Sequence, residues 1–414
     1  MLASLQDILD TVKSNTLTYQ QKLMCLGNIA ERLFDPRELL GYTDEEWQFL
    51  QNQMICDLNE GYAIYRPRYI LPDYNVYIKK GCEFLELPAP KNLDEALDGL
   101  LILYSHVPSI TTFPVYIGRL DMLLDPFITD EEQDYIKIKR FLNHVDKTVP
   151  DSFCHANIGP YDTKAGRLIL KAVIELEAPT PNMTIRYDKS KTSHEFAELA
   201  AKACLLVSKP SFANDAYYIS DLGEQYGIAS CYNALPECGG AYTLTRLRLG
   251  TIARACKTVD EMVNELLPRV AKCALSTMDK RHKFVVEESN FFNTSFLEKE
   301  GFIKRTNFTG MFAIVGLADA ANHLLQQEDL NETFGKSQRG DEIATLIMEK
   351  LKEVTDNHEG VYAERTGNRY LLHAQVGASN HEEDKRNAPA HRIRVGEEPT
   401  LLAHLKQSAP FHKY

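Results

Sequence analysis

Segments with strand character and segments with helix character alternate along the chain from about residue 150 onward. Thr192 and Glu195 match a capping box at the start of one helix, and Thr258 and Glu261 match a second. Residues 242–249, between these helices, are rich in threonine, leucine and tyrosine and predict a strand. Strands separated by helices favour an α/β fold with a parallel or mixed sheet.

The N-terminal part has a different sequence pattern. Residues 1–60 place apolar side chains at helical spacing, whereas residues 61–90 are rich in proline and tyrosine and predict irregular or extended chain. Residues 92–104 predict a helix capped by Asn92, and residues 315–330 predict an amphipathic helix. Residues 380–396 are strongly polar and predict a surface loop.

Composition excludes several classes of function. The 414 residues carry a formal net charge of −12, and no basic stripe is present, so nucleic acid is not an expected partner. No apolar run approaches the roughly 20 residues that span a bilayer, so no membrane partner is expected. The N-terminus lacks the pattern of a secretory signal, and we expect a cytoplasmic protein.

The nine cysteines are scattered and form no C-x-x-C pair. This spacing supports neither a zinc ribbon nor a thioredoxin-like motif, and we expect no metal site. A disulfide scaffold is not expected in a long chain without a secretory signal. Most of these thiols should be small buried hydrophobic groups, which leaves one or two for chemistry.

The segment from Tyr226 to Gly240 is the most informative part of the chain. Small and apolar residues lead to Cys231, then come a polar turn with a proline and a pair of glycines. This order predicts that Cys231 lies at the tip of a tight excursion that leaves and rejoins a sheet. Two other interpretations remain open: a buried structural cysteine, and a cysteine hydrolase that would use His155 or His373 as its base.

Further segments extend this pattern on both sides. Ile228-Ala-Ser-Cys231-Tyr-Asn-Ala-Leu-Pro236 is preceded by Ser208-Lys-Pro210 and Asn214-Asp215 and followed by Gly239-Gly240. The other segments are Arg66-Pro67-Arg68-Tyr69, Leu71-Pro72-Asp73-Tyr74, Glu83-Phe84-Leu85-Glu86-Leu87, His155-Ala-Asn157-Ile-Gly159-Pro160, Leu372-His373-Ala374-Gln375 and His404-Leu405-Lys406. Together they resemble the glycyl radical enzymes, specifically the YjjI-type branch, over essentially the whole chain.

The resemblance implies a barrel of two half-barrels of parallel strands surrounded by helices. Residues 1–150 would be its mainly helical part, and residues 151–414 would be the barrel core with the cysteine loop near residue 231. Cys231 would be the thiyl radical that abstracts hydrogen from a small-molecule substrate under anaerobic conditions. The chain would bind no cofactor directly. A separate radical-SAM activase would install the glycyl radical, and the enzyme would be a homodimer sensitive to oxygen.

The neighbours of Cys231 narrow the reaction that the resemblance implies. Pyruvate formate-lyase uses two adjacent cysteines, whereas Tyr232 follows Cys231 here. The eliminating members carry a carboxylate two residues after the cysteine, and this chain has Asn233, which holds no proton at neutral pH. Asn233 would instead orient a substrate hydroxyl or carbonyl. Relation to anaerobic ribonucleotide reductase remains open.

Polar residues of the matching segments are the remaining candidates for contact with substrate. They are His155, Asn157, Arg66, Arg68, Asp73 and His373. Each also has an ordinary structural role open to it, as a surface ion pair or a hydrogen-bonded core residue. The two arginines favour an anionic substrate. Cys238 has a possible redox role, although a cysteine with no chemical function is more common in such a loop.

The family's glycine motif, Arg-Val-x-Gly-Tyr, does not occur in these 414 residues. The nearest sequence is Arg394-Val395-Gly396, whose glycine comes one place too early and is interpreted as a turn residue. We therefore expect a chain without the C-terminal glycine domain, inactive unless a second polypeptide supplies the glycine loop. It is either a fragment of an active radical enzyme or a shortened protein that acts as a binding module.

Overall fold

The computed structural model describes residues 4–31, 33, 35–56, 64–108, 113–149, 153–230, 232–374 and 399–414. Its α-helices are α1 (Leu5–Lys13), α2 (Tyr19–Glu31), α3 (Pro36–Leu40), α4 (Asp44–Gln51), α5 (Asn75–Lys80), α6 (Leu93–Tyr104), α7 (Leu120–Leu124), α8 (Glu131–Thr148), α9 (Lys164–Leu176), α10 (His194–Val207), α11 (Asp215–Leu222), α12 (Leu249–Arg254), α13 (Leu267–Lys283), α14 (Phe291–Thr294), α15 (Phe296–Lys299), α16 (Leu317–Gln327), α17 (Gln338–Asp356) and α18 (Leu401–Ser408). Its strands are β1 (Ile55–Cys56), β2 (Tyr69–Leu71), β3 (His155–Ile158), β4 (Asn182–Tyr187), β5 (Ser211–Asn214), β6 (Tyr226–Ala229), β7 (Asn233–Pro236), β8 (Gly239–Arg248), β9 (Phe308–Val315) and β10 (Leu371–Ala374).

Two sets of parallel strands form the centre of the fold. β3, β4 and β5 pair in parallel in one sheet, and β8, β9 and β10 pair in parallel in the other. β1 and β2 add antiparallel pairs to β8. The predicted α/β fold with two groups of parallel strands is therefore confirmed. Among the described residues these strands form two separate sheets and do not close into a single barrel.

Helices cover the parallel strands, as expected when both faces of a sheet must be buried. All eight residues of β9 and all ten of β8 are buried. α13 packs against β8 and β9, and α16 packs between α12 and α17. On the other sheet, α9 packs against α8 and α10. No described helix is long and apolar enough to cross a lipid bilayer.

A hairpin of two strands lies between the two parallel sheets. β6 and β7 pair antiparallel, with Ile228 opposite Ala234 and Ala229 opposite Asn233. β6 contacts β3 of one sheet, and β7 contacts β8 of the other. Ser230, which follows β6, and Tyr232, which precedes β7, are both in turn conformation.

The paired glycines after the hairpin are required by close backbone approach. Gly240 has φ +145°, and a Cβ atom there would lie 2.0 Å from the carbonyl oxygen of Tyr69 in β2. A Cβ atom at Gly239 would lie 2.3 Å from the carbonyl oxygen of Asn307. Only glycine lets the chain enter β8 between these two backbone segments.

Several local predictions can be compared with the structure. Asn92 caps α6 as predicted, because its Oδ1 accepts a hydrogen bond from the Glu95 amide at 3.0 Å. The cap of α10 was placed wrongly: Ser193 accepts from the Phe196 amide, whereas the Thr192 hydroxyl accepts from the Asp188 amide. The polar stretch 380–396 lies outside the described residues.

The helix predicted after Thr258 is also present. Thr258 Oγ1 accepts from the Glu261 amide at 3.1 Å. Helical backbone then runs from Glu261 to Glu288, because π-helical turns precede and follow α13. Pro268 lies where the π-helical turn passes into α13.

Candidate active site

The outer edge of β6 is held by side chains instead of by another strand. Asn157, on β3, donates from Nδ2 to the carbonyl of Ile228 and accepts from its amide at Oδ1, both at 2.8 Å. Two residues earlier on the same face, His155 Nδ1 lies 2.9 Å from the carbonyl oxygen of Ser230. Both side chains are fully buried. These contacts satisfy backbone groups of β6 that β7 does not reach.

The contacts of His155 define its protonation. A carbonyl oxygen only accepts, so Nδ1 carries the hydrogen, and Nε2 accepts from the hydroxyl of Thr184 at 2.7 Å. Thr184 Oγ1 in turn lies 2.7 Å from the hydroxyl of Ser211, which donates to it. Burial lowers the pKa of His155 to about 4. The imidazole is therefore neutral at physiological pH, and both of its nitrogens bond to protein groups.

The base of the hairpin is held by a buried ion pair. Arg186, on β4, donates from Nε to Asp215 at 2.7 Å, and both side chains are at most 2% exposed. Its other nitrogens donate to the carbonyls of Tyr226 and Glu224 at 3.2 and 3.3 Å. The guanidinium also stacks on the Tyr226 ring, whose hydroxyl donates to Asp215. Arg186, Asn157 and His155 therefore follow β6 from its base to its turn.

A second buried carboxyl lies where β7 ends. Glu237 accepts from the hydroxyl of Tyr116 at 3.0 Å. Burial, reinforced by the negative charge of Asp73, raises the pKa of Glu237 to about 7. Asp73 itself accepts from the backbone and side-chain amides of Asn75. Asp73 thus lies close enough to Glu237 for its charge to affect the pKa of that carboxyl.

The residues on either side of Cys231 are described, whereas Cys231 itself lies outside the described residues. Ser230 and Tyr232 both have φ in the left-handed region, at +52° and +65°. The Tyr232 ring makes an edge contact with the His155 ring, with centroids 5.3 Å apart. Asn233 is buried at the start of β7. The predicted position of Cys231 at the tip of the excursion lies outside the described residues.

The other candidates lie in different surroundings. Arg66 has Nη2 3.9 Å from the carboxylate of Glu31, at the end of α2. The Arg68 guanidinium lies 5.1 Å from the centre of the Tyr69 ring. His373 is half-buried on β10, opposite Ala313 of β9. Their predicted contact with substrate, and that of Asp73, stays a prediction.

Cys238 occupies the junction between β7 and β8. Its Sγ lies 3.7 Å from the carbonyl oxygen of Gly301, and burial raises the pKa of its thiol to about 11. A thiol of this kind stays protonated at neutral pH. The described residues contain no group of three or more histidine, cysteine or acidic side chains arranged to hold a metal ion.

Sequence reasoning missed most of the groups that hold the hairpin. Arg186, Thr184, Tyr116 and Glu237 were not singled out, and Asp215 was recognised only as part of a matching segment. The available signal was the alternation of Thr184 and Arg186 on one face of a buried strand. A buried arginine must be paired or hydrogen-bonded, so an arginine on a buried strand indicates a polar network around it.

Comparison with known proteins identifies the family. The model of the family described as glycyl radical enzyme YjjI-like matches residues 17–414. The chain belongs to this family. A Haemophilus influenzae protein is 92% identical over all of this chain, which covers 80% of that protein. The YjjI protein of Escherichia coli is 41% identical over 97% of this chain, which covers 77% of it.

A solved structure shows the same fold as this YjjI-like chain. The anaerobic ribonucleotide reductase of Thermotoga maritima, determined with citrate in the active site, matches with a TM-score of 0.73 at 12% identity. The match covers 98% of this chain and 88% of the reductase chain. The recognition of a glycyl radical enzyme of the YjjI type from the sequence is confirmed.

Proposed function

We propose that this YjjI-like protein is the catalytic body of a glycyl radical enzyme, in which the Cys231 thiyl abstracts a hydrogen atom from a small polar molecule. The observation that supports it is the hairpin between two parallel sheets, whose backbone is hydrogen-bonded by His155, Asn157 and Arg186. Radical chemistry requires a reacting atom that is fixed in position and shielded from water.

The residues of this chain fit that chemistry. A glycyl radical installed by a radical-SAM activase would take the hydrogen atom of the Cys231 S–H bond, so that a glycine C–H bond forms and Cys231 becomes a thiyl. Cys231 then forms an S–H bond with a hydrogen atom from a substrate C–H bond, which breaks and leaves the unpaired electron on carbon. His155 leaves the hydrogen on sulfur, since its two nitrogens already bond to Ser230 and Thr184. The setting would be anaerobic and cytoplasmic, with a homodimeric enzyme.

The contacts of His155 argue against a cysteine hydrolase that uses this histidine as its base. A hydrolase base must accept the thiol proton through a free ring nitrogen. His155 Nδ1 carries its hydrogen toward the Ser230 carbonyl, and Nε2 accepts from Thr184. His155 is therefore a positioning residue of the hairpin turn in this proposal.

The reading frame is first sequenced past the codon for Tyr414 to look for a glycine motif, and the test then compares Cys231→Ala with Cys238→Ala in the protein that this frame encodes. Each protein is incubated without oxygen with a radical-SAM activase, and the glycyl radical is quantified by electron paramagnetic resonance. Metabolites of an anaerobic extract are then followed by mass spectrometry. We expect wild type and Cys238→Ala to deplete the same metabolite, and Cys231→Ala to deplete none although its radical forms.

Either of two results would contradict the proposal. One is equal depletion by Cys231→Ala, which would remove this cysteine from the reaction. The other is a reading frame that ends without a glycine motif and with no glycine-loop subunit encoded nearby, which would favour a binding module.

A further inference from the structure

The first two helices form a helical hairpin that buries very little of its own surface. α1 has no buried residue, and α2 has one, Ile29. The ammonium group of Lys22 donates to the carbonyl of Val12 at 2.7 Å, which joins the start of α2 to the end of α1. Glu31, at the other end of α2, accepts a hydrogen bond from Tyr65. The end of α2 therefore contacts the rest of the protein, whereas α1 packs mainly against α2.

Large apolar side chains are exposed along both helices. Three of them recur at helical spacing on α1, and two more are four residues apart on α2. They are between 37% and 72% exposed. We call this set the apolar face, and it comprises Leu5, Leu9, Val12, Tyr19 and Leu23.

The positions of these side chains around the helix axes place them on one side of the hairpin. Successive residues are rotated by about 100° in an α-helix. In α1 the partly buried Ile8 and Thr11 mark the side toward α2, and the apolar face is centred roughly 90° away. In α2 the same rotation, in the same sense, separates the apolar face from the more buried Cys25 and Ile29. Because the two helices run antiparallel, both rotations lead to the same side.

α1 is too short to be stable as an isolated helix. It has nine residues, and helices shorter than about 12–15 residues are marginal in water even with favourable sequences. Most helical stability in proteins comes from packing of the apolar face, which α1 leaves exposed. The match to the family model begins at residue 17, after α1 has ended. The exposed face therefore indicates a contact surface in a part of the chain that the family model does not match.

The charges of the hairpin distinguish between the possible occupants of this face. Lys13 and Lys22 lie near the connecting turn, whereas Asp7 and Glu31 lie toward the opposite end. Helices that bind an anionic lipid surface carry lysine and arginine on the polar side, but here that side carries Asp7 and Asp10. A second copy with reversed helix direction brings the basic end of each hairpin to the acidic end of the other. The charge pattern therefore favours a second copy of this chain.

The size of the apolar face also agrees with contact between two copies. Five side chains with these exposures present a surface on the order of 500 Å². Two copies would then bury on the order of 1,000 Å² in total, about the smallest area of a specific protein interface. A two-fold contact uses the same patch on both copies, and a face without charged side chains can pack against itself.

We propose that the apolar face is a dimer interface, on which the same face of a second copy packs with its helices in the reversed direction. The two hairpins form a four-helix bundle, whose core is made by the two apolar faces. Association removes these side chains from water, and the opposite charges at the ends set the direction. The interface does not depend on the radical reaction, and it specifies where two copies of the chain meet.

The experiment measures self-association of the 414-residue chain under reductant by sedimentation velocity over a range of micromolar concentrations. We expect the mass to double as the concentration rises. Leu9→Glu combined with Leu23→Glu places charges in the interface and should weaken association at least about tenfold. Gln21→Glu combined with Asn28→Glu is the matched control, because it adds the same charge on the opposite face and keeps an acceptor for the Thr18 amide. The control should associate as the wild type does.

A second pair of substitutions covers the case in which the first variant does not fold. Leu5→Gln combined with Tyr19→Gln changes the two most exposed side chains of the face, each 72% exposed, without adding charge. This variant should unfold thermally at the wild-type temperature when dilute and should also associate more weakly.

Cross-linking tests the direction of the second copy. Reversed packing about a two-fold axis brings Leu9, at the middle of α1, close to Leu9 of the other copy. Leu9→Cys should therefore be joined between copies by a short bismaleimide reagent more efficiently than Asn28→Cys, which lies on the opposite face and retains the same native cysteines.

Several results would overturn the proposal. Single-copy mass of the wild type at all concentrations would remove the dimer. Unchanged association of Leu9→Glu combined with Leu23→Glu would place the interface elsewhere, and so would an equal loss in the control. Equal cross-linking at the two cysteines would reject the reversed packing. Binding to vesicles of anionic lipid without self-association would assign the face to a membrane surface.

Discussion

The central strands of the two parallel sheets are both buried, but they are used differently. β4 carries Thr184 and Arg186 on the face toward the hairpin, where they bond to His155 and Asp215. β9 instead buries Phe312 and Ile314 among the helices of the second sheet. Apolar burial on β9 stabilises the fold but is not directional. The hydrogen bonds around β4 are directional and therefore fix where the hairpin lies.

The largest effect should come from breaking the ion pair at the base of the hairpin. Arg186→Met leaves Asp215 buried without its cation and should lower the free energy of unfolding by about 3–5 kcal/mol. Urea denaturation measures it. Arg167→Met is the matched control, because Arg167 pairs with Asp162 but is 41% exposed and should cost at most about 1 kcal/mol. Equal losses of unfolding free energy in the two variants would mean that burial does not determine how much the ion pair contributes to stability.

Acid should destabilise the protein through His155, the neutral histidine that contacts the hairpin. The pKa of His155 is about 4 in the folded chain against an ordinary 6.5, so the unfolded chain binds the proton more tightly. Its contribution is complete above pH 6.5 and is lost as the pH falls toward 4, about 3 kcal/mol in all.

Chemical denaturation between pH 7 and 4 tests this dependence. His155→Gln should reduce the dependence of the free energy of unfolding on pH. His282 contacts Thr243 of β8, in the second sheet, and burial lowers its pKa to about 3. His282→Gln should therefore remove a separate contribution to the pH dependence of the free energy of unfolding. An acid slope in His155→Gln as steep as that of wild type would show that the imidazole is not held neutral.

A smaller and more local effect is expected at Asn157. Asn157→Leu leaves the amide and carbonyl of Ile228 without their partners and should cost about 1–3 kcal/mol. Hydrogen exchange should show faster exchange at the Ile228 amide than elsewhere in the sheet. Ile314→Val on β9 is the contrast: a loss of about 0.5–1.5 kcal/mol through global unfolding, without selective exposure of β6. Uniform acceleration of exchange in Asn157→Leu would contradict a local role.

The smallest effect is expected at Ser230. Ser230→Ala removes a buried hydroxyl that has no partner, so stability should stay the same or rise by up to about 1 kcal/mol. Thermal unfolding measures it. A clear loss of stability would indicate that the hydroxyl contributes to the fold.

Local features of this protein were predictable because they depend on neighbouring residues. Asn92 and Glu95 are three residues apart, and this spacing alone identifies the start of α6. The paired Gly239 and Gly240 likewise marked a special backbone position. The cap at Thr192 was wrong because Ser193 competes one residue later, and hydroxyl spacing does not decide which of two adjacent residues faces the helix.

The sequence by itself determined the α/β fold, the hairpin around residue 231 and the family, since these follow from periodicity, turn residues and segment order. Only the tertiary structure decided what His155, Asn157 and Arg186 do. Their partners, Ser230, Ile228 and Asp215, lie 75, 71 and 29 residues away along the chain. A histidine or arginine looks the same in the sequence whether its side chain contacts a ligand or a buried carbonyl. The physical difference is the partner, and folding brings that partner within hydrogen-bonding distance.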